Sequence, residues 1–416
     1  MYIDVRQASD VQIAYAFSLA TGVPLSIKNS GHDYKGRSSG ANTLSLWTHN
    51  LQSSGAYWQQ VYEFAELNNI TVIGGYHQTI ASGGGWVQAG GHSILSPNYG
   101  LGIDRVVEFK VVTPDGVYRT ANECQNEDLF WALRGGGGST YGVVLETSQK
   151  VESQLTLQVF TQNATNAAPF LKIVTNNALK WGKEGWGGHI GANNLIKVNP
   201  KLTLAEAKAS MQPIADYAAL MNGTVVIETI PSWNQFFTKY VIGAQSAVGG
   251  ISVLGTRLIP TVNFETEAGL EGVYELLTGF LPKANPYIVV GTPFLYDYQE
   301  GSTSATPAWR NSLWHLGLHE TWTFNTTTSA KKAVFESVSE IVQSMRNISQ
   351  DSGAYFNEGD VPEVLMPFTN MIPSAFLIVG NAWDGKAPVR HVIHVIFKNN
   401  VGTSAQCPAS RIYHLI

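Results

Sequence analysis

Hydrophobic positions in the first 150 residues come in short alternating runs, separated by polar or glycine-rich stretches. Ser9-Asp10-Val11-Gln12 has the reciprocal caps of a capping box, and the pattern to Ala20 is helical until Gly22 ends it. Residues 23–27 read as a short strand, 29–40 as a loop, and 43–47 as an alternating strand. Residues 57–67 suit a second helix and 71–73 a strand. The stretch 82–91 is dense in glycine, so backbone there is expected to come close to something. Residues 106–113 and 117–119 flank Pro114-Asp115-Gly116, which predicts a hairpin. A short helix over 127–133 follows, ended by Gly135 to Gly138 before a strand over 141–145.

From about residue 151 glycine clusters thin out and longer amphipathic helices appear. One follows the capping box Thr203-Leu204-Ala205-Glu206, and another spans 331–345. They alternate with strand-like pieces at 224–230 and 287–291, which predicts a second domain of α+β type. At 416 residues and 44% hydrophobic content the chain can bury a large core, and its length favours two domains. A net charge of -5 with no run of Lys or Arg leaves no electrostatic footprint for nucleic acid or an anionic membrane, so small molecules are the expected partners. Apolar stretches such as 287–295 are interrupted well before the roughly 18 residues of a membrane span. With only Cys124 and Cys407, the chain holds neither a disulfide framework nor a cysteine zinc site, and a single bridge stays open. Sequons at Asn69, Asn163, Asn222, Asn325 and Asn347 suit a secreted glycoprotein. The opening MYIDVRQASDVQ lacks the apolar core of a signal peptide, so the expectation is a leader absent from this chain or an intracellular protein.

The most informative segment runs from Ile27 to Gly40, IKNSGHDYKGRSSG, where small residues surround His32. Consecutive N–H groups in such a loop form an anion-binding concavity, and the imidazole is a candidate ligand, base or nucleophile. Alone, an ordinary turn with a solvent-facing histidine explains it as well. A second segment, GGGWVQAGGHS from Gly83 to Ser93, again lets backbone approach a flat or phosphorylated ligand, with a plain glycine-rich hairpin as the alternative. Gly36-Arg37-Ser38-Ser39-Gly40 also satisfies G-x-S-x-G, which raises a serine hydrolase using Ser38. A nucleophile elbow turns from strand into helix, however, and the residues after this motif alternate like a strand.

In order, SGHDYKGRSSG, GGGWVQAGGHS, NYGLGIDRVVEFKVVTPDG and NECQNEDLFWALRGGGGSTYGVVLE resemble the berberine-bridge-enzyme-like branch, fungal type, of the vanillyl-alcohol-oxidase and p-cresol-methylhydroxylase (PCMH) flavoprotein superfamily. The resemblance implies an α+β, two-domain PCMH-type fold. Its parts would be an N-terminally incomplete FAD-binding domain over 1–150, a substrate domain of antiparallel sheet and helices over 151–350, and an atypical return segment over 351–416. It implies FAD held by an 8α-histidyl bond to His32, with His92 as the other candidate anchor. Asn29, Ser30, Gly31, Asp33, Tyr34, Gly36 and Ser38 would surround the pyrophosphate. Gly84, Gly85, Gly90, Gly91, His92 and Ser93 would line the cofactor, and Gly142, Val143 and Val144 its adenosine or ribityl portion. Some relatives carry a second, cysteinyl link just before the glycine-dense loop. The nearest positions here are His77, Gln78 and Thr79, and no cysteine precedes Cys124.

On the substrate side, Tyr355-Phe356-Asn357-Glu358 matches a Tyr-X-Asn pattern that relatives follow with a Tyr acting as base. The expectation is Glu358 as base, with Tyr355 and Asn357 positioning it or the flavin ring, against the plainer reading of a solvated surface carboxylate. Trp314, His315, His319 and Trp322 read first as core and only second as pocket lining. The implied activity is hydride transfer from an alcohol, sugar or secondary metabolite to flavin N5, with O2 as acceptor giving H2O2, in a monomer that uses no metal. Ile80 or Ala81 would tune reactivity toward oxygen. The sequence departs from the family before the first helix and after Asp360, where it runs VPEVLMPFTNMIPSAF with no Asp-Pro turn, so a remnant without turnover is the second alternative.

Overall fold

The computed structural model describes residues 1–360 apart from 52, 246 and 247; the atypical segment beyond Asp360 and Cys407 lie outside the described residues. The first helix, Ala8–Thr21, starts one position before Ser9, and Gln7 is its cap. The reason is Asp10, whose carboxylate accepts the backbone N–H groups of Arg6 at 2.9 Å and Gln7 at 3.1 Å. Gly22 ends the helix in the left-handed region, φ 72°, and donates to the Ser18 carbonyl.

Strands Leu25–Lys28 and Leu44–Trp47 pair in parallel, and the N-terminal Tyr2–Asp4, which the sequence pattern did not reveal, pairs in parallel with Leu44–Trp47 from the other side. Parallel neighbours need a connection of about a dozen residues. Here that connection is the histidine-bearing loop itself. A second three-stranded sheet places Val106–Val112 between Tyr118–Asn122 and Val143–Gln149, all antiparallel. Its hairpin turn is closed by Thr113 Oγ1 donating to Asp115 at 2.6 Å and by Gly116 at φ 77°. The expected strand over 141–145 begins only at Val143, because at Gly142 the backbone passes so close that a Cβ would lie 2.5 Å from the Val112 carbonyl oxygen. The strand expected over 71–73 is reduced to Ile70–Thr71, paired with Glu152–Ser153.

The second half is a seven-stranded antiparallel sheet in the order Thr224–Ile230, Leu157–Asn163, Asn194–Asn199, Gly187–Ile190, Tyr287–Val290, Ser312–Thr321, Ser252–Pro260. One face packs against helices Ala167–Lys183, Leu204–Leu220, Glu267–Phe280 and Thr328–Asn347, through a core that includes Phe170, Trp181, Met211, Leu277, Trp314 and Leu316. The Thr203–Glu206 capping box forms as its sequence predicts. The last helix starts earlier than the expected 331 because Thr327 Oγ1 accepts the Ala330 N–H. The opposite face of the sheet lies on the first half: Val159, Val198 and Val289 share one core with Trp58, Trp86 and Phe109. No helix among the described residues is long and apolar enough to cross a membrane.

The halves are also joined by a buried ion pair. Arg310, just before the Ser312–Thr321 strand, donates twice to Asp104 at 2.7 Å, and both side chains are 4% exposed. Removing one partner leaves an uncompensated buried charge, which costs on the order of 3–5 kcal/mol. Arg310→Met is therefore expected to lower the urea midpoint of unfolding by that equivalent. An unchanged midpoint would show that the pair does not couple the two halves.

Candidate active site

Asp33 folds the histidine loop before any distant contact is made. One of its oxygens accepts from the Lys35 N–H at 3.2 Å and from Arg37 at 2.8 and 3.0 Å, and the other takes the Ser38 N–H at 2.7 Å. Burial alone would raise this carboxyl, but the Arg37 hydrogen bonds and charge, then the Ser38 and Lys35 amides, hold it below the usual carboxylate range. Gly31 at φ 94° and Gly36 at φ 72° supply turns that a side chain would strain.

The return segment clasps this loop. Asn357 Nδ2 donates to the His32 carbonyl at 2.8 Å, while its Oδ1 accepts from the Tyr34 N–H at 3.3 Å and from Arg37 at 3.0 Å. Lys35 donates to the Gly359 carbonyl, and the Arg37 guanidinium lies over the Phe356 ring at 4.2 Å. The hydrogen-bonding groups of Asn357, a candidate for positioning the base or the flavin ring, are spent on the His32 loop.

His32 is half-buried, with Nε2 at 2.8 Å from Thr79 Oγ1 and its ring 4.7 Å from that of His77. Burial, then the neighbouring His77, pushes its imidazole down to about 4, so it is neutral near pH 7. Ser30 Oγ accepts the Ala81 N–H at 3.3 Å, and Asn29 Nδ2 donates to the Ser54 carbonyl while its Oδ1 is buried without a partner. Three glycine loops converge here. A Cβ on Gly84 would stand 2.8 Å from Asn29 Nδ2, and one on Gly138 would stand 2.8 Å from the Gly85 Cα, whereas Gly85 itself faces open space. A cavity of about 600 Å³ beside them is lined by Lys28, Asn29, Ser30, Ser38, Ser39 and Tyr57, among others. Exposed backbone, small side chains and an unpartnered amide oxygen fit a flat, phosphorylated cofactor such as FAD.

Other predicted cofactor residues have mixed positions. Gly90 at φ 122° and Gly91 at φ 74° turn the chain so that their carbonyls accept the Ile103 and Gly102 N–H groups. Ser93 is spent on its own turn, donating its N–H to Ser96 Oγ and accepting the Leu95 N–H. Val143 and Val144 belong to buried cores, so only the backbone at 142–144 is left to meet a ligand. Among the described residues Ser38 has no hydrogen bond to a histidine, and its loop leads into a strand, which removes the hydrolase reading.

A second cluster stands where the sheet meets the first half. Segment 349–353 is stitched to the Ser252–Pro260 edge strand: Leu258 N–H donates to the Gly353 carbonyl at 2.8 Å, Ser352 Oγ to the Leu258 carbonyl at 2.8 Å, and Arg257 to the Ser349 carbonyl at 2.6 Å. The turn that follows, with Glu358 N–H on the Tyr355 carbonyl at 2.9 Å, delivers Tyr355 and Glu358 to the interior. The His92 ring is 5.2 Å from Tyr355, 5.3 Å from His315 and 5.7 Å from Trp309. Glu358 Oε2 lies 3.8 Å from His315 Nε2, and its side chain is only 18% exposed. That burial does not suit a solvated surface glutamate, and, opposed by Lys35, it raises this carboxyl to about 7. Burial likewise pushes His92 down to about 4 and His315 well below the ordinary imidazole value, Tyr355 is raised by burial, and burial with Glu358 pushes Tyr34 up to about 12.

His315 is buried, as a core reading requires, but on the other face of its strand from the helix-packed core. Trp314 and Leu316 point to the helices, whereas His315 lies on the opposite face with both ring nitrogens buried and unpartnered. His189 was not singled out at all. Its Nδ1 meets the Tyr287 hydroxyl at 2.7 Å, its Nε2 is unpartnered, and its ring is 4.0 Å from Tyr76. The alternation from Trp314 to His319 carried the signal for His315; the short GGHI strand gave none for His189. His319 is exposed. The ligand atoms of His92, His315 and Glu358 lie within 4.8 Å of one another. Donors about 2 Å from one zinc ion would stand within about 4 Å of each other, so a trio spread to 4.8 Å is wider than such a site.

The sequence profile of the FAD binding domain family matches residues 1–122. The FAD-linked oxidoreductase ffsJ of Aspergillus flavipes is 39% identical over 86% of this chain, which spans 69% of that protein. Among solved structures, the VAO-type flavoprotein MtVAO615 from Myceliophthora thermophila C1 is 26% identical with a TM-score of 0.78, over 86% of this chain and 72% of that one. A glucooligosaccharide oxidase from Acremonium strictum, described with 6-S-cysteinyl, 8α-N1-histidyl FAD, shares the fold at 19% identity and a TM-score of 0.71, over 86% and 82% of the two chains. A relative this similar over this much of both chains leaves one conclusion: the chain is an FAD-linked oxidoreductase and belongs to the vanillyl-alcohol-oxidase and p-cresol-methylhydroxylase flavoprotein superfamily.

Proposed function

We propose that the enzyme holds FAD along loops 29–38 and 84–93, bonded covalently through His32 at the 8α carbon, and oxidises a small alcohol, sugar or secondary metabolite. When bound, the flavin supplies two-electron chemistry by accepting hydride at N5 and passing the pair to dioxygen. Glu358 takes the proton from the substrate hydroxyl as the hydride leaves the same carbon. The observation that carries this reading is the desolvated Glu358, raised to about 7 and facing the neutral imidazole of His315. Tyr355 is buried against His92 and Trp309, and Asn357 ties its turn to the His32 loop. All five sequon asparagines are exposed, which supports a glycosylated, secreted protein.

Glu358 must be ionised to accept a proton, and its charged fraction falls tenfold for each pH unit below a pKa of about 7. The kcat/KM profile is therefore expected to lose activity below about pH 7. Glu358→Gln should flatten that limb and lower kcat/KM by roughly 10²–10⁴-fold with the flavin spectrum intact. A variant reduced by substrate as fast as the wild type would remove Glu358 from the mechanism. Acid precipitation should leave yellow colour in the wild-type pellet and an FAD-sized increment on intact mass. His32→Ala is expected to lose both, and an increment retained in that variant would move the attachment elsewhere.

A further inference from the structure

The turn carrying Thr79 is fixed from several sides. Ile80 N–H donates to the His77 carbonyl at 3.3 Å, Trp58 N–H to the Ile80 carbonyl at 3.0 Å, Gln59 N–H to the Gln78 carbonyl at 3.2 Å, and Ala81 N–H to Ser30 Oγ. Thr79 N–H donates to His77 Nδ1 at 3.2 Å, so that nitrogen carries a lone pair and no proton. Thr79 Oγ1 also lies 3.1 Å from the same nitrogen, and a bond between them requires the hydroxyl to donate. The lone pairs of Oγ1 are then left for His32 Nε2 at 2.8 Å, which must be the protonated nitrogen. His32 is thereby held as the Nε2–H tautomer with its lone pair on Nδ1.

We propose that Thr79, oriented by His77, is the positioning residue for covalent attachment of FAD: it presents His32 Nδ1 as the nucleophile and takes up the Nε2 proton as the bond forms. The inference rests on the covalent reading above. A bond forms between Nδ1 and the 8α carbon and a C–H bond of that methyl group breaks. The Nε2 proton passes to Thr79 Oγ1, whose own proton moves to His77 Nδ1 in place of the 3.2 Å amide contact. The methyl group and imidazole together lose two protons and two electrons, and dioxygen receives all four to give H2O2. The low basicity imposed on His32 by burial and by His77 keeps its ring neutral and available.

The test uses the full chain produced under flavin limitation, incubated aerobically with FAD and followed by intact mass and acid-stable absorbance, with non-covalent binding measured separately by flavin fluorescence quenching. Thr79→Val is expected to bind FAD yet attach it at least tenfold more slowly, Thr79→Ser to restore the rate, and the wild-type flavin peptide to be linked through Nδ1. Attachment at the wild-type rate in Thr79→Val, or linkage through Nε2, would overturn the proposal while leaving the covalent reading intact. Flavin released by acid from the wild type itself would instead withdraw the covalent reading, and the relay with it. If Thr79→Val binds no FAD, His77→Leu decides in the same assay: undiminished attachment removes the relay, and a tenfold slowing with FAD still bound sustains it.

Discussion

The Asn357 amide donates to the His32 carbonyl and accepts from Tyr34 and Arg37, so a side chain from the return segment holds a loop 325 residues earlier in sequence. Each such bond contributes on the order of 1 kcal/mol, too little to order a loop of this length alone. It acts because Asp33 has already drawn the amides of residues 35 and 38 and the Arg37 guanidinium onto one carboxylate. The clasp then fixes Glu358 relative to His32, since Glu358 follows Asn357 directly and the bond from Asn357 ends on the His32 carbonyl. The histidine loop and the glutamate turn are thus one mechanical unit.

That unit sits in a region where charge is expensive. Glu358, His92, His189 and His315 are all displaced toward their neutral forms, and in each the first cause is loss of water. Lys35 is the nearby cation that opposes the shift of Glu358, and its ammonium donates to the Gly359 carbonyl. The cluster therefore keeps its imidazoles neutral near pH 7 while one carboxyl titrates there, a division of roles that suits a single proton acceptor among hydrogen-bonding neighbours.

Much of this was legible locally. Gly22, Asp115-Gly116, the helix over 127–133, the Thr203–Glu206 box and the strand over 224–230 are set by contacts within a few residues, and the loops around His32 and Gly84 announce themselves by composition. What escaped depends on distant partners. Tyr2–Asp4 is a strand only because Leu44–Trp47 offers it an edge, and Gln7 displaces Ser9 as the cap because Asp10 reaches back. The role of Asn357 depends on where residues 349–353 are stitched onto the 252–260 strand, through Arg257 and Leu258, which no local pattern reveals.

Register decides the rest. Along Ser312–Thr321 the residues Trp314, Leu316 and Leu318 face the helices, while His315 faces the site, and a slip of one residue would exchange the two sets. The pairing with Ser252–Pro260 carries an irregularity between Ile259 and Pro260, close to the start of the strand, so alternation alone does not fix the register. Arg310 is fixed by two hydrogen bonds to the buried Asp104, two residues before the strand begins. The irregularity falls between this anchor and Trp314, so the position of His315, 3.8 Å from the carboxylate, rests on the regular pairing beyond it, Trp314 with Ile259 and His315 with Leu258.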